Sequence, residues 1–555
     1  MITVSAAVAE TVAEHADEVF ALMGNGNAYF TDALARQSRV HITAVRHEQA
    51  TVASADAYQR ATRRIAAATT TYGPGFTNAI TPLAEAACAR IPLVFVVGAE
   101  PSTGPRPWDV DQAAMAEAAG ARVLIVDAAT PRGTTRQAFA LAEAERRPVV
   151  LFIPYDLGAA EAHDEAQEQA TLSDAARHDA DPRILDAVAD GVAEAARALT
   201  SAKRPLILAG RGARAAAARL GDLADRIGAL TVSSAPARGT FAGRGWDLGV
   251  CGGFASEDSS KLIQQADVVL AVGTSLNQFT MAFGDQFAAE ATLIQIDLAP
   301  SPTHPQVDRH LAGDSVILTE ALLDALSGHT PPAQRWEGLA EEARHSRLTF
   351  RRDEGTGQAA DGRLDPRSVM AALNTILPAN RQIVTDGGHF IGWPSYHLDL
   401  PEPDALIMVG THYQAIGLGF PSAPGAVRAR PDATTVVVTG DGGGIMGLPD
   451  LDTLVRTASS AVVLVFNDAC YGAEIHQYGS QGLHEAVMEI EQADFAQLAL
   501  GFGAAGLVVE TMQDLNGVRG WVEAGARGTL VVDLRISRTV VAPFIMEIIE
   551  KTIKK

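Results

Sequence analysis

Short apolar runs that end in a glycine or a polar turn, each followed by a helix-like pattern, recur along this 555-residue chain. The alternation restricts the fold to α/β architecture, because parallel strands need a crossover helix between them. In a first block, "VHITAVRHE" (40–48) reads as a strand running into a helix, and "RIAAATTTYGPG" (64–75) as a strand ending in a Gly-Pro-Gly turn. "PLVFVVGAE" (92–100) and "RPVVLFIPYDL" (147–157) are further strands of that block. "RPLILAGRGA" (204–213), "ALTVSS" (229–234), "ADVVLAVGTSL" (266–276) and "ATLIQIDLAP" (291–300) make a second. A third holds "RQIVTDGGHF" (381–390), "ALIMVGTH" (405–412), "VVVTGDGGG" (436–444), "AVVLVFND" (461–468) and "GTLVVDLRI" (528–536). The acidic stretch 159–182 and the charged, Pro- and Gly-containing stretch 327–366 read as linkers. The expectation is three doubly wound parallel-sheet domains, 1–165, 183–328 and 363–540, then a C-terminal helix in 541–555. That helix is amphipathic with a basic end, suited either to the surface or to covering a site.

Bulk properties narrow the function. Apolar residues make up 47% of the chain, enough for large cores. A net charge of −22 argues against a nucleic-acid or membrane-surface binder, which needs a basic face. Cys88, Cys251 and Cys470 lie far apart with no CxxC, so neither a disulfide framework nor a cysteine metal site is expected. With acidic residues by Glu10 and no basic start, the first residues do not read as a signal peptide, and no apolar run reaches the ~20 residues of a membrane span. The expected compartment is the cytoplasm.

The strand 436–439 runs into Gly440-Asp441-Gly442-Gly443-Gly444, and 24 residues separate Gly442 from Asn467-Asp468 at the end of the next strand. One strand–helix–strand unit of this size brings two strand ends together, where open parallel sheets bind ligands. Two sets of oxygen ligands there suit Mg²⁺, which takes one or two carboxylates plus phosphate oxygens. Bare glycines let backbone amides approach a phosphate at the start of the following helix. The chemical reading is a diphosphate clamped by a divalent cation.

Gly-Asp-Gly, some two dozen residues, then a pair that is usually Asn-Asn resembles the signature of thiamin diphosphate-dependent enzymes of the acetolactate synthase, pyruvate decarboxylase and benzoylformate decarboxylase family. The resemblance covers nearly the whole chain: "RHEQATVASADAYQRAT" (46–62), "YGPGFTNAITPLAEA" (72–86) and "YQAIGLGFPSAPGAVRARPD" (413–432) match the family's glutamate helix, Gly-Pro-Gly turn and pyrimidine cradle. It implies three domains, pyrimidine-binding, middle and diphosphate-binding. It also implies thiamin diphosphate with Mg²⁺ or Ca²⁺, and a homodimer or homotetramer with active sites at the subunit interface.

By that resemblance Glu48 is the carboxyl that bonds the pyrimidine N1′, a task suited to a buried group able to carry or share a proton. Ile416 is the apolar wedge between the cofactor's rings, and the backbone of Gln414 and Ile416 bonds the pyrimidine edge. The metal ligands are Asp441, Asp468 and the backbone carbonyl of Cys470. Gly440, Gly442, Gly443, Tyr471 and Gly472 belong to the diphosphate and metal loops, as does Asn467, which either bonds locally or contacts the cofactor, while Gly388, His389 and Phe390 hold the diphosphate's other side. His389, with His47, His412 and His476, is a candidate for proton transfer. Phe76 is expected to face the thiazolium and shape the acceptor pocket.

The chain departs from the family in places. Asp468 replaces the second Asn, adding a carboxylate at the metal. The Phe-Gln of acetolactate synthases is missing from "RPWDVDQAAMAEAAGARV" (106–123), although Gln112 falls near. "VGTSLNQFT" (272–280) lacks a flavin-facing arginine and "GRGARAA" (210–216) is glycine-poor, so FAD is not expected, while an ADP or coenzyme A site stays open. The implied reaction is acetolactate synthase-like carboligation or decarboxylation of a 2-keto acid, through a C2 carbanion and an enamine-type intermediate. A benzaldehyde lyase-like enzyme or a simple 2-keto-acid decarboxylase is the near alternative. A catalytically silent homologue and a flavin or nicotinamide oxidoreductase are the distant ones.

Overall fold

A computed structural model describes residues 2–163, 182–244, 246–330, 336 and 353–553. It contains three six-stranded sheets, each wholly parallel. The first is built from β1 (Glu18–Ala21), β2 (His41–Ala44), β3 (Ala67–Thr70), β4 (Val94–Ala99), β5 (Arg122–Ile125) and β6 (Val149–Pro154), in the order β2-β1-β3-β4-β6-β5. The second uses β7 (Pro205–Ala209), β8 (Leu230–Ser233), β9 (Asp247–Val250), β10 (Val268–Val272), β11 (Thr292–Asp297) and β12 (Arg309–Ala312), ordered β12-β11-β10-β7-β8-β9. The third contains β13 (Arg381–Thr385), β14 (Leu406–Met408), β15 (Thr434–Gly440), β16 (Ser460–Asn467), β17 (Ala505–Val509) and β18 (Gly528–Arg535), ordered β14-β13-β15-β16-β18-β17. The first and third sheets therefore share one topology and the second has another.

The long central strands are near-continuous apolar runs because helices cover both their faces, as for β4, β6 and β16. The sequence pattern alone does not mark β1, β5, β9, β12 or β17. These have four or five residues, too few for a periodicity to show, and all but β1 lie at a sheet edge. Most of the two expected linkers, 159–182 and 327–366, lies outside the described residues. Among the described residues no helix is long and apolar enough to cross a membrane. The three cysteines are unpaired.

Five helices position the site: α1 (Glu48–Thr62), α2 (Ile80–Cys88), α3 (Gly419–Ala429), α4 (Asp441–Met446) and α5 (Pro543–Ile548). The first domain meets the third where α1 crosses α3. Ala53 and Ala57 share a core there with Phe420, Ala423 and Ala426. The Ser54 hydroxyl donates to the Pro421 carbonyl at 2.7 Å. A Cβ at Gly425 would sit 1.9 Å from the Ser54 carbonyl oxygen, so only glycine permits this crossing. Arg428–Glu18 (2.7 Å) and Arg46–Asp452 (2.6 Å) rim the contact. At the C-terminus, α5 buries Phe544 and Ile545, and Phe544 packs on Phe254 of the second domain at 5.1 Å. The terminal helix is thus a cover rather than a free surface helix.

Candidate active site

The third sheet reverses its winding between β13 and β15, and ligands of open parallel sheets bind in the crevice beyond such a switch. A cavity of about 330 Å³ opens there. Its floor is the carboxyl ends of β13, β15 and β16; its far wall comes from Phe254 and Phe279 of the second domain and from Phe544, Ile545 and Ile548.

Asp441 is the first residue of α4 and is 3% exposed. Its Oδ2 accepts from the Ala469 amide at 2.8 Å and its Oδ1 from the Gly442 amide at 2.9 Å. Asp468, on the neighbouring strand end, is 8% exposed. Burial, then the Asp468 charge, pushes the Asp441 carboxyl up to about 7. Burial pushes Asp468 up to about 6, against hydrogen bonds from Cys470. Arg538, which favours the charged form of Asp468, is already paired with Glu489 at 2.9 Å. Two adjacent buried carboxylates, one raising the other's proton affinity, are a donor set that fits a hard divalent cation. Among the described residues no three His, Cys, Asp or Glu side chains converge, so the remaining ligands of such an ion would be a carbonyl, phosphate oxygens or water. The loop after Asp468 turns at Ala469, at φ +60°, and is pinned by the Tyr471 amide on the Met488 carbonyl (2.8 Å). Burial and the two aspartates push the Cys470 thiol far up, which removes it as a nucleophile.

The glycines are required by close packing, not by unusual dihedrals. A Cβ at Gly442 would lie 2.7 Å from the Tyr471 ring, one at Gly443 2.5 Å from Asp386 Oδ2, and one at Gly440 3.1 Å from the Phe390 ring. Asp386 escaped the sequence reading; its only signal is an acidic residue at a strand end before Gly-Gly. It is fully buried and accepts from the amides of Gly387 (2.8 Å), Gly417 (2.9 Å) and Leu418 (3.2 Å) and from the Thr439 hydroxyl (3.1 Å). Burial pushes it up to about 6. It fixes the turn in which Gln414 sits at φ +63° and Gly417 at φ +85°. Within that turn Ile416 is 38% exposed and borders the cavity.

Gly388, at φ +138°, starts the opposite wall. His389 Nε2 accepts from the Ala542 amide at 2.8 Å, so its proton sits on Nδ1. Burial and His476 push His389 down to about 3. This corrects its expected role in proton transfer: it is a neutral ring whose basic nitrogen is already occupied, leaving one N–H donor near Gly472. Phe390 stacks on Phe466 at 5.7 Å and forms part of the wall, as do Tyr471 and Gly472.

One further expectation needs correction, and the open choice at Asn467 falls to local bonding. Phe76 is fully buried against Phe95 (6.0 Å) and Phe152 (5.6 Å), so its ring belongs to the first domain's core, not to an acceptor pocket. Asn467 points away from the cavity, its amide donating to the Ala493 carbonyl (2.9 Å) and to Asp533 (2.8 Å). Glu48 is not brought to this cavity within one chain. It opens α1 half-buried, not fully buried as its expected role suggested, and accepts from Asn78 Nδ2 at 3.0 Å. His47 caps α1, His476 packs on His389, and His412 lies beside Glu85. Gln112 is buried at the Gly-Pro-Gly turn, taking the Gly73 amide and donating to the Gly98 carbonyl (3.0 Å).

Comparison with known proteins follows this division. Residues 2–118 match the thiamine pyrophosphate enzyme N-terminal TPP-binding domain, 192–322 the central domain and 386–533 the C-terminal TPP-binding domain. The chain is 25% identical over 531 residues to the acetolactate synthase large subunit of Haemophilus influenzae, covering 91% of this chain and 89% of that one. It is 26% identical over 591 residues to sulfoacetaldehyde acetyltransferase of Castellaniella defragrans, covering 100% and 96%. It is 27% identical over 534 residues to the acetolactate synthase large subunit of Parasynechococcus marenigrum, covering 92% and 84%. With three sheets, a carboxylate-lined switch-point cavity and all three domain matches in order, the chain belongs to the thiamin diphosphate-dependent enzymes of the acetolactate synthase and pyruvate decarboxylase family, which make or break carbon–carbon bonds.

Proposed function

We propose that this protein is a carboligase or decarboxylase acting on a 2-keto acid, with the cavity beyond β13, β15 and β16 as its cofactor site. The observation that carries the reading is the pair Asp441 and Asp468, buried side by side at the ends of the paired strands β15 and β16. Their charge suits Mg²⁺, with the Cys470 carbonyl as a third ligand, and the ion offsets the repulsion between these carboxylates and a diphosphate. Amides around Gly440–Gly443, the Gly388 turn and the Nδ1–H of His389 are the donors for that diphosphate. The protruding Ile416 and the backbone of Gln414 hold the other end of the cofactor. Thiamin diphosphate, when bound, supplies the electron sink for cleaving or forming the bond next to a carbonyl. Glu48 completes the site from a second copy of the chain, holding or releasing a proton at N1′ of the pyrimidine. The supporting fact is that Glu48 does not border the cavity of its own chain. A homodimer or homotetramer follows from this arrangement. The α5 helix and the aromatic wall cover one side of the cavity.

A second reading, benzaldehyde lyase-like chemistry on uncharged aldehydes, is favoured by one observation. No lysine or arginine borders the cavity among the described residues, and its far wall is Phe254, Phe279, Phe544, Ile545 and Ile548. On this chain's side of the site an anionic acceptor would face an apolar wall with no cationic side chain to pair with; a neutral aldehyde fits better. Purified protein with thiamin diphosphate and Mg²⁺, offered a panel of 2-keto acids with and without aldehyde acceptors, separates the readings. CO₂ release supports the first. Acyloin cleavage or formation from aldehydes alone supports the second, and no turnover of either class refutes both.

A further inference from the structure

The turn that carries Gln414 and Ile416 is held at its exit by Asp386 and at its start by a residue of another domain. Glu85, on α2 of the first domain, is fully buried. Its Oε2 accepts from the backbone amides of His412 (2.9 Å) and Tyr413 (2.7 Å), the two residues that lead into Gln414. Its Oε1 accepts from Arg60 at 2.9 Å and lies 3.4 Å from His412 Nδ1. Arg60 is also bound by Asp56, and the Arg60 carbonyl accepts from Arg214 of the second domain at 3.0 Å. Arg214 in turn pairs with Asp404 of the third domain at 2.9 Å. Burial would raise the Glu85 carboxyl, yet His412, the Arg60 charge and the Tyr413 amide hold it down to about 2, so it stays an acceptor at any working pH.

Gln414 has φ +63°, a region that a side-chain-bearing residue visits only when its surroundings impose it. On the entry side the Ala415 amide closes the turn on the Gly410 carbonyl (2.9 Å) and the Thr411 hydroxyl donates to the Met408 carbonyl of β14 (3.3 Å); Glu85 is the restraint that reaches it from another domain. We propose that Glu85 is a positioning residue that sets the Gln414–Ile416 turn for the pyrimidine end of the cofactor, through its bonds to the His412 and Tyr413 amides. The inference rests on reading the cavity as the cofactor site. It divides the work in space: the diphosphate end depends on Asp441 and Asp468, the other end on a carboxylate lent by the first domain of the same chain.

This division makes the test selective. Titration calorimetry in Mg²⁺ buffer compares thiamin diphosphate with inorganic pyrophosphate on wild type, Glu85→Gln and Glu85→Asp. Glu85→Gln is expected to weaken thiamin diphosphate about tenfold while pyrophosphate binds as to wild type, since small displacements of a positioning group cost factors of this order. Glu85→Asp, which keeps the charge, is expected to recover part of the loss and stands in should the glutamine variant fail to fold. Equal thiamin diphosphate affinity in the variants, or a proportional loss of both ligands, overturns the proposal. Failure of wild type to bind thiamin diphosphate overturns the cofactor-site reading beneath it.

Discussion

Replacing Asp386 by asparagine sets two effects of opposite sign against each other. Folding raises this carboxyl from 3.8 to about 6, a shift of about 2 units and so about 3 kcal/mol against the ionised form. The folded pKa is raised, so the native state holds the proton more tightly. Its stabilising contribution is complete below about pH 4 and is lost as pH climbs through about 6. At pH 7 the wild-type protein therefore carries a buried charge that asparagine, shaped like the neutral acid, removes. Against this, the amide NH₂ must face one of the donors Gly417, Leu418 or Thr439, a mismatch of about 1–3 kcal/mol. The apo variant should thus be no less stable than wild type at pH 7. Its stability relative to wild type should rise by about 3 kcal/mol between pH 4 and pH 7, at about 2–4 °C in Tm per kcal/mol for a domain of this size. Thiamin diphosphate affinity should fall about tenfold, because the turn bearing Gln414 and Ile416 loses a charged hydrogen bond. Calorimetric melting of apo wild type and Asp386→Asn across that pH range, with a binding titration, measures both. A difference in Tm that does not change with pH would refute the electrostatic reasoning, and unchanged affinity would refute the clamp.

Further outcomes follow from the same geometry. Glu48→Gln should lower turnover by more than about tenfold at unchanged cofactor content, the usual scale for removing a proton-handling group; unaltered kcat would sink its assignment. Asp441→Ala should abolish Mg²⁺-dependent cofactor retention, and wild type should lose cofactor on gel filtration in EDTA, whereas tight retention under EDTA contradicts the metal clamp. Phe76→Ala should cost about 3–5 kcal/mol of stability, as for any large aromatic cut from a core, while leaving the ranking of substrates alone. A changed substrate ranking with an unchanged Tm would return Phe76 to the pocket.

Much of the architecture can be read in one dimension because the physics there is local. A strand buried on both faces must be an apolar run, so "AVVLVF" and "PLVFVV" declare themselves. Asp441 and Asp468, each at a strand end and about two dozen residues apart, can be picked out from spacing as a pair of carboxylates brought together by one strand–helix–strand unit. Edge strands such as β9 and β12 carry too few residues to show a pattern.

Direction and partnership are different in kind. Phe76 follows a Gly-Pro-Gly turn, but whether its ring enters the core or the pocket depends on where Phe95 and Phe152 lie. Asn467 and Asp468 are neighbours in sequence, yet strand alternation turns one to Asp533 and the other to the cavity. His389 looks like a catalytic histidine until the Ala542 amide, 153 residues away, takes its free nitrogen. Glu85 sits in the apolar run "PLAEAA", where a lone carboxylate is a hint without an address; the backbone amides it holds are more than 300 residues on, in another domain. Residue type and spacing are enough to suggest which polar groups two neighbouring strand ends can bring together, because a strand–helix–strand unit has a narrow range of lengths. Which side chain faces the site, and what holds it there, is set by contacts between distant segments that exist only once the sheets are packed.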